Sequence, residues 1–197
     1  MHLVFWIGNG FDPRVPNQPD AFSRASLQQA VQRYSHYKII KQTVLFPIIQ
    51  SLVRGPTGLV WHQVMTAAAS AQGVATSDMP LTRPTLNALT DAEAMIEFAQ
   101  EYPDSEIHIF VYAGGAVALY LGETYRAVAR HFYGQEFDFE LYYPAISVPD
   151  LKSQILYFCL WGVTQLISWN SWLFLKWYNF RDSTDRKRLE RFRRTVS

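Results

Sequence analysis

From Ser153 to Leu175 the chain runs 23 residues without a formal charge and then meets a strongly basic segment. As one helix this run would be about 34 Å long at ~1.5 Å per residue, enough to cross a ~30 Å hydrocarbon core with slight tilt. Tyr157 and Trp161 lie toward one end, and Trp169, Trp172, Trp177 and Tyr178 toward the other. Such rings, apolar with one polar atom, favour a membrane interface. Lys176, Arg181, Arg186, Lys187 and Arg188 follow within the distance over which positive charge orients a span. The expectation is a transmembrane helix over residues 151–180 and a basic tail over 181–197. Its interface residues would be Trp161, Trp169, Trp172, Lys176, Trp177, Tyr178 and Arg181. Gln165 and Asn170 fall roughly 140° apart on a helix. They make no common polar face, and each amide needs a partner. The span is therefore expected to pack between other helices. A buried aromatic helix of a soluble core, or a helix lying in the interface plane, fits the same residues.

Composition bounds the rest. A chain of 197 residues is one domain, or one small domain with an appended segment. Charged residues make up 18%, below the roughly 25% of ordinary soluble domains, while aromatics reach 15%. That balance suits a surface facing lipid or other subunits. Six Lys/Arg in residues 1–54 oppose Asp12 and Asp20, eleven acids in 78–140 oppose three Arg, and seven bases in 181–197 oppose three acids. An acidic middle thus cancels two basic ends, which argues against nucleic acid as a partner. The single cysteine, Cys159, excludes an internal disulfide and a zinc or iron–sulfur site built on cysteines of this chain alone, and is expected to be buried. The first residues show neither a charged leader nor a small-residue cleavage site.

Along the chain, Leu3–Ile7 reads as a strand entering the turn Gly8-Asn9-Gly10. Pro13, Pro16 and Pro19 predict an extended arm over 12–20. Ser23 or Ser26 would cap a helix toward Ser35. Apolar residues every three to four positions from Tyr34 to Val53 predict an amphipathic helix, kinked or split at Pro47. Further helices are predicted over Leu59–Ala71 and from Thr90, as cap, to Glu101. A second proline arm is expected at 144–149. Ile107–Gly122 admits two readings: a buried strand to Tyr112 followed by a Gly114-Gly115 turn and a helix, or one apolar helix. Gly114, Ala118 and Gly122, at four-residue spacing, form a small-residue stripe suited to close helix packing.

Two resemblances stand beside this reading. Gly8-Asn9-Gly10-Phe11-Asp12 after a strand resembles the start of the phage-resistance family called AbiH, over about ten residues; an exposed tight turn accounts for it equally. Residues from Asp91 to Tyr143 resemble the SAVED domain, a sensor of cyclic oligonucleotides in bacterial antiviral systems. The matching places are Ile107-His108-Ile109-Phe110, Ala113-Gly114-Gly115-Ala116, Leu121-Gly122 and Leu141-Tyr142-Tyr143. The resemblance implies a helix, a strand, a small-residue turn, a helix and a later strand. Amides of a glycine-rich strand-to-helix turn could then face phosphates.

His2, His36, His62, His108 and His131 show no metal-ligand spacing, and Ser26, Ser51 and Ser70 lack a nucleophile context. Glu136, Asp138 and Glu140 alternate with Phe137, Phe139 and Leu141 as the outer face of a strand. No catalytic residue, cofactor or metal is therefore expected. The reading is mainly α: a helical body over 1–150, with or without a small sheet, and one C-terminal spanning helix. Its function would be that of a non-catalytic structural subunit of a large membrane complex. Supernumerary subunits of mitochondrial respiratory complexes or ATP synthase, in the inner membrane, have this style of chain. Partners would be other subunits and anionic head groups, with Gly114, Ala118, Gly122, Gln165 and Asn170 in helix packing. The alternative is a soluble α/β domain, a SAVED-like sensor module.

Overall fold

A computed structural model of the chain describes residues 1–196 except Asn9, Pro16, Pro56 and 145–149; side chains are described as far as residue 187. The second proline arm and the charges from Arg188 onward thus lie outside the described residues and side chains. The elements are β1 (His2–Ile7), α1 (Ala21–Ile39), β2 (Val44–Leu45), β3 (Ile48–Ser51), α2 (Trp61–Ala71), β4 (Leu81–Thr85), α3 (Ala88–Gln100), β5 (Glu106–Val111), α4 (Ala116–Val128), β6 (Glu140–Tyr142), α5 (Leu151–Ser168) and α6 (Ser171–Val196). This is an α/β fold, not the mainly helical body that the sequence led us to expect.

All strand pairs among the described residues are parallel. One sheet has the order β2-β1-β5-β6, and β3 pairs with β4 beside it. Phe46-Pro47 separates β2 from β3, so the chain leaves β1 at the proline and turns to β4. The amphipathic helix expected over Tyr34–Val53 is therefore half helix and half strand. Its Ile and Val positions satisfy both periods, and β-branched residues flanking a proline favour strand. Read across both sheets, the chain winds outward from β1 to β4, then crosses back to β5 and β6. That is a doubly wound arrangement with its switch point between β1 and β5.

Both faces of the sheet are covered, which is why β1 is buried at every residue and reads as unbroken apolar sequence. Leu3, Phe5, Ile7, Ile109 and Val111 pack into one core with α3, α4 and the first turns of α6. Val4, Trp6 and Phe110 pack into the other with α1 and α2. The 12–20 arm is not extended. It closes on itself through Asp12 N–H to the Gln18 carbonyl (2.8 Å) and Asp20 N–H to the Gly10 carbonyl (2.9 Å). Asp20, rather than a serine, caps α1 by accepting from Ser23 N–H at 2.7 Å.

No helix among the described residues is long and apolar enough to cross a membrane. The uncharged stretch is broken: α5 ends at Ser168, and Asn170 Oδ1 starts α6 by accepting from Trp172 and Leu173 N–H at 3.0 and 3.1 Å. A cap residue in mid-run divides a 34 Å span into two arms of a hairpin. The hairpin lies against α4. Thr164 and Ser168 are buried, Ser168 Oγ donates to Glu123, and His131 contacts the Ser168 carbonyl at 2.7 Å. The transmembrane helix and the membrane localisation are thereby overturned. The basic residues of 181–196 continue α6 instead of forming a separate tail. Cys159, expected to be buried, is exposed.

Phe174 of α6 is fully buried beside His131 and Phe132, whereas Trp169 keeps 86% of its surface exposed. Phe174→Ala is expected to lower the unfolding free energy by about 3 kcal/mol or more, the usual cost of emptying an aromatic core site. Trp169→Ala should stay within about 0.5 kcal/mol of wild type. Urea denaturation of the two variants tests the docked hairpin; equal, small effects would count against it.

Candidate functional site

In a doubly wound sheet, backbone amides and helix N-termini collect at the carboxyl ends of the strands, outside the switch point. At that edge, on the β1–β3–β4 side of the switch point, a cleft of about 170 Å³ opens, lined by residues that follow or end β1, β3 and β4, including Gly8, Gly10, Ser51 and Asn87, and by Trp6, Trp61 and Asp91. Trp6 is fixed from behind, its Nε1–H donating to Ser26 Oγ at 2.8 Å. Trp61 begins α2 and lies on the backbone of the first turn: a Cβ on Gly8 would sit 2.4 Å from Trp61 Cζ2. Phe11 packs edge-on against Trp61 with ring centres 4.9 Å apart. Glycine at position 8 therefore serves close approach of an indole. Asn9 of the AbiH-like motif lies outside the described residues.

The polar side of the cleft comes from the start of α3. Asn87, not Thr90, is the N-cap, accepting from Leu89 and Thr90 N–H at 3.1 Å each, while its Nδ2 donates to Asp185 of α6 at 3.0 Å. One turn on is Asp91. Its Oδ1 is withheld from solvent, as are Thr85 Oγ1 and Tyr125 Oη, and the Thr85 hydroxyl is its hydrogen-bonding neighbour. Burial pushes the Asp91 carboxyl up to about 7, with the Thr85 hydroxyl acting in the opposite direction.

The second glycine turn at this edge is closed. Gly115 has φ +61°, and Ala116 N–H, the first amide of α4, donates to Gln154 Oε1 of α5 at 3.0 Å. Tyr143 packs over Gly114, and the Tyr112 and Tyr157 hydroxyls meet at 2.9 Å. The amide that the SAVED resemblance would turn toward phosphate is thus covered at Ala116.

The other sequence-selected residues scatter. Ala118 and Gly122 are buried in α4, and Gly122 faces Leu141. Trp161 and Trp177 are partly buried against the core, as is Tyr178, whose hydroxyl donates to Glu93. Lys176 Nζ stands 3.8 Å from the Trp172 ring centre, Arg181 and Gln165 are partly buried, and Asn170 is the exposed cap. None lines the cleft. Asp91, Asn87 and Trp61 carried no sequence signal beyond helix starts. Only the strand order brings them to one edge.

No protein-family model, curated protein or solved structure matches the chain.

The raised carboxyl makes a pH test. An unfolded Asp titrates near ~3.9, so between about 4 and 7 the unfolded chain loses a proton that folded Asp91 keeps. This contribution is present in full below ~4 and is lost as pH rises through the folded value. Asp91→Asn, neutral throughout, should match wild-type stability near pH 4 and exceed it near pH 8 by up to about 4 kcal/mol. Parallel denaturation curves across that range check it.

Proposed function

We propose that the chain is a ligand-sensing module that takes a base of a cyclic oligonucleotide into the carboxyl-edge cleft. The observation that carries this reading is the Asp91 carboxyl in the lining of a cleft that also holds Trp6 and Trp61. A cavity near 150 Å³ takes a benzene, so about 170 Å³ suits one ring system, with the remainder of the ligand outside. A carboxyl that titrates near 7 can accept from a base N–H or, protonated, donate to a ring nitrogen. Sugar and phosphate would then lie outside the cleft, on the side of Gly8 and Gly10.

The element order supports the same reading. Helix α3, strand β5, the 113–116 turn, helix α4 and strand β6 follow one another as the SAVED resemblance implies. Among the described lining residues Asp91 is the single carboxylate, and no histidine, lysine or cysteine lines the cleft, which favours binding over acid–base chemistry. Asn87 links the cleft rim to Asp185 of α6, so a bound base could be felt at the C-terminal hairpin.

A second reading, a non-catalytic subunit of a larger assembly, has its own observation. Leu151, Leu166, Trp169 and Phe180 are each more than half exposed on α5 and α6, an apolar surface that a protein neighbour could cover.

Thermal shift against a panel of cyclic di- and trinucleotides tests the first reading. At ligand one hundredfold above Kd, stability should rise by about 2.7 kcal/mol. Trp61→Ala and Asp91→Asn should reduce the shift, and Trp169→Ala should leave it. Silence across the panel at saturating concentration would sink the sensor and leave the assembly subunit.

A further inference from the structure

At the opposite, amino-terminal edge of the sheet, three ligand-type side chains converge. Parallel register sets His2 against Glu106 and places His108 two residues further along β5 on the same side. His2 Nδ1 stands 3.2 Å from His108 Nε2 and 3.5 Å from Glu106 Oε2, and His108 Nε2 stands 3.9 Å from that oxygen. Donors ~2.1 Å from a tetrahedral zinc lie roughly 3.4 Å from one another, so the triangle has the dimensions of three such ligands.

The surroundings fit as well. His108 Nδ1 lies 3.0 Å from Glu140 Oε2 on β6. With its proton there, Nε2 offers a lone pair to the triangle, the carboxylate–histidine–metal arrangement that fixes a ligand's tautomer. The His2 ring is held by stacking on Tyr37, with centres 3.6 Å apart and planes 8° off parallel. The Tyr37 hydroxyl, 3.0 Å from His108 Nε2, stands at the edge of the site. Both histidines are buried, while Glu106 faces solvent beside a cavity of about 260 Å³ lined by Glu106, His108, Asp138 and Glu140. An ion therefore has a way in, and a fourth coordination position can hold water.

We propose that His2, Glu106 and His108 bind one divalent transition-metal ion, zinc by donor type and spacing, and that Glu140 positions His108 for it. The ion clamps the first residue of β1 to the start of β5, groups 106 residues apart in the case of the two histidines. Closing so long a loop removes much freedom from the unfolded chain. This site is remote from the carboxyl-edge cleft and does not depend on the ligand reading. It is a clamp on the β1–β5 pair rather than a reaction centre.

Protein without a histidine tag is stripped with chelator and titrated with zinc, then with cobalt. Wild type should retain one equivalent of zinc through gel filtration, gain thermal stability on zinc addition, and give the intense visible bands of tetrahedral cobalt. His108→Ala should lose the ion. Exposed Glu106→Gln, which spares the core, and Glu140→Gln should each weaken binding at least about tenfold. His36→Ala, at an exposed histidine outside the site, should behave as wild type. No retained zinc in folded wild type overturns the proposal. So does binding that Glu106→Gln leaves unchanged, or that His36→Ala removes equally; if His108→Ala fails to fold, Glu106→Gln decides.

Discussion

The parallel pairing of β1 with β5, six residues in unbroken register from His2–Glu106 to Ile7–Val111, is the constraint from which the rest follows. Its side chains alternate between two cores, so β1 and the last four residues of β5 are dry on both faces. A slip of one residue would exchange the faces of Phe5 and Trp6 and of Ile109 and Phe110 together. The same pairing defines the switch point of the winding. The carboxyl end of β1 borders the Trp6–Trp61–Asp91 cleft, and the amino end of the pair gathers His2, Glu106 and His108. The two candidate sites lie at opposite ends of β1.

The C-terminal hairpin shows how an uncharged run can stop short of being a span. Asn170 ends one helix and caps the next, and Thr164, Ser168 and Phe174 turn inward toward α4 and His131. The inward side also reaches α3, through Tyr178 to Glu93 and Asp185 to Asn87. The outward side keeps Leu166 and Trp169 in the open at 77% and 86% exposure. One helix pair therefore both seals the Gly115 turn with Gln154 and presents apolar surface.

Local pattern made several elements legible. Leu3–Ile7, the helix near Trp61, the helix ending near Glu101, and the strand-then-helix reading of 107–122 all rest on runs whose period and punctuation agree. Where two periods coincided, as in Val44–Ser51, propensity could not choose. Pro47 decided it, because a proline between two short strands lets the chain change sheet partners, whereas inside a helix it removes a hydrogen bond. The 153–175 run was misread for a related reason: hydropathy counts apolar residues without weighing one asparagine as a cap.

The sequence alone determined the raw material: two-faced apolar strands, glycine turns after β1 and β5, an indole-rich composition, and a chain too poor in cysteine for disulfides. Tertiary structure decided which of these meet. His2 and Glu106 become ligand partners, and Trp6, Trp61 and Asp91 become neighbours, only through strand order and register. Those are set by packing two cores at once, a long-range condition that no local spacing records.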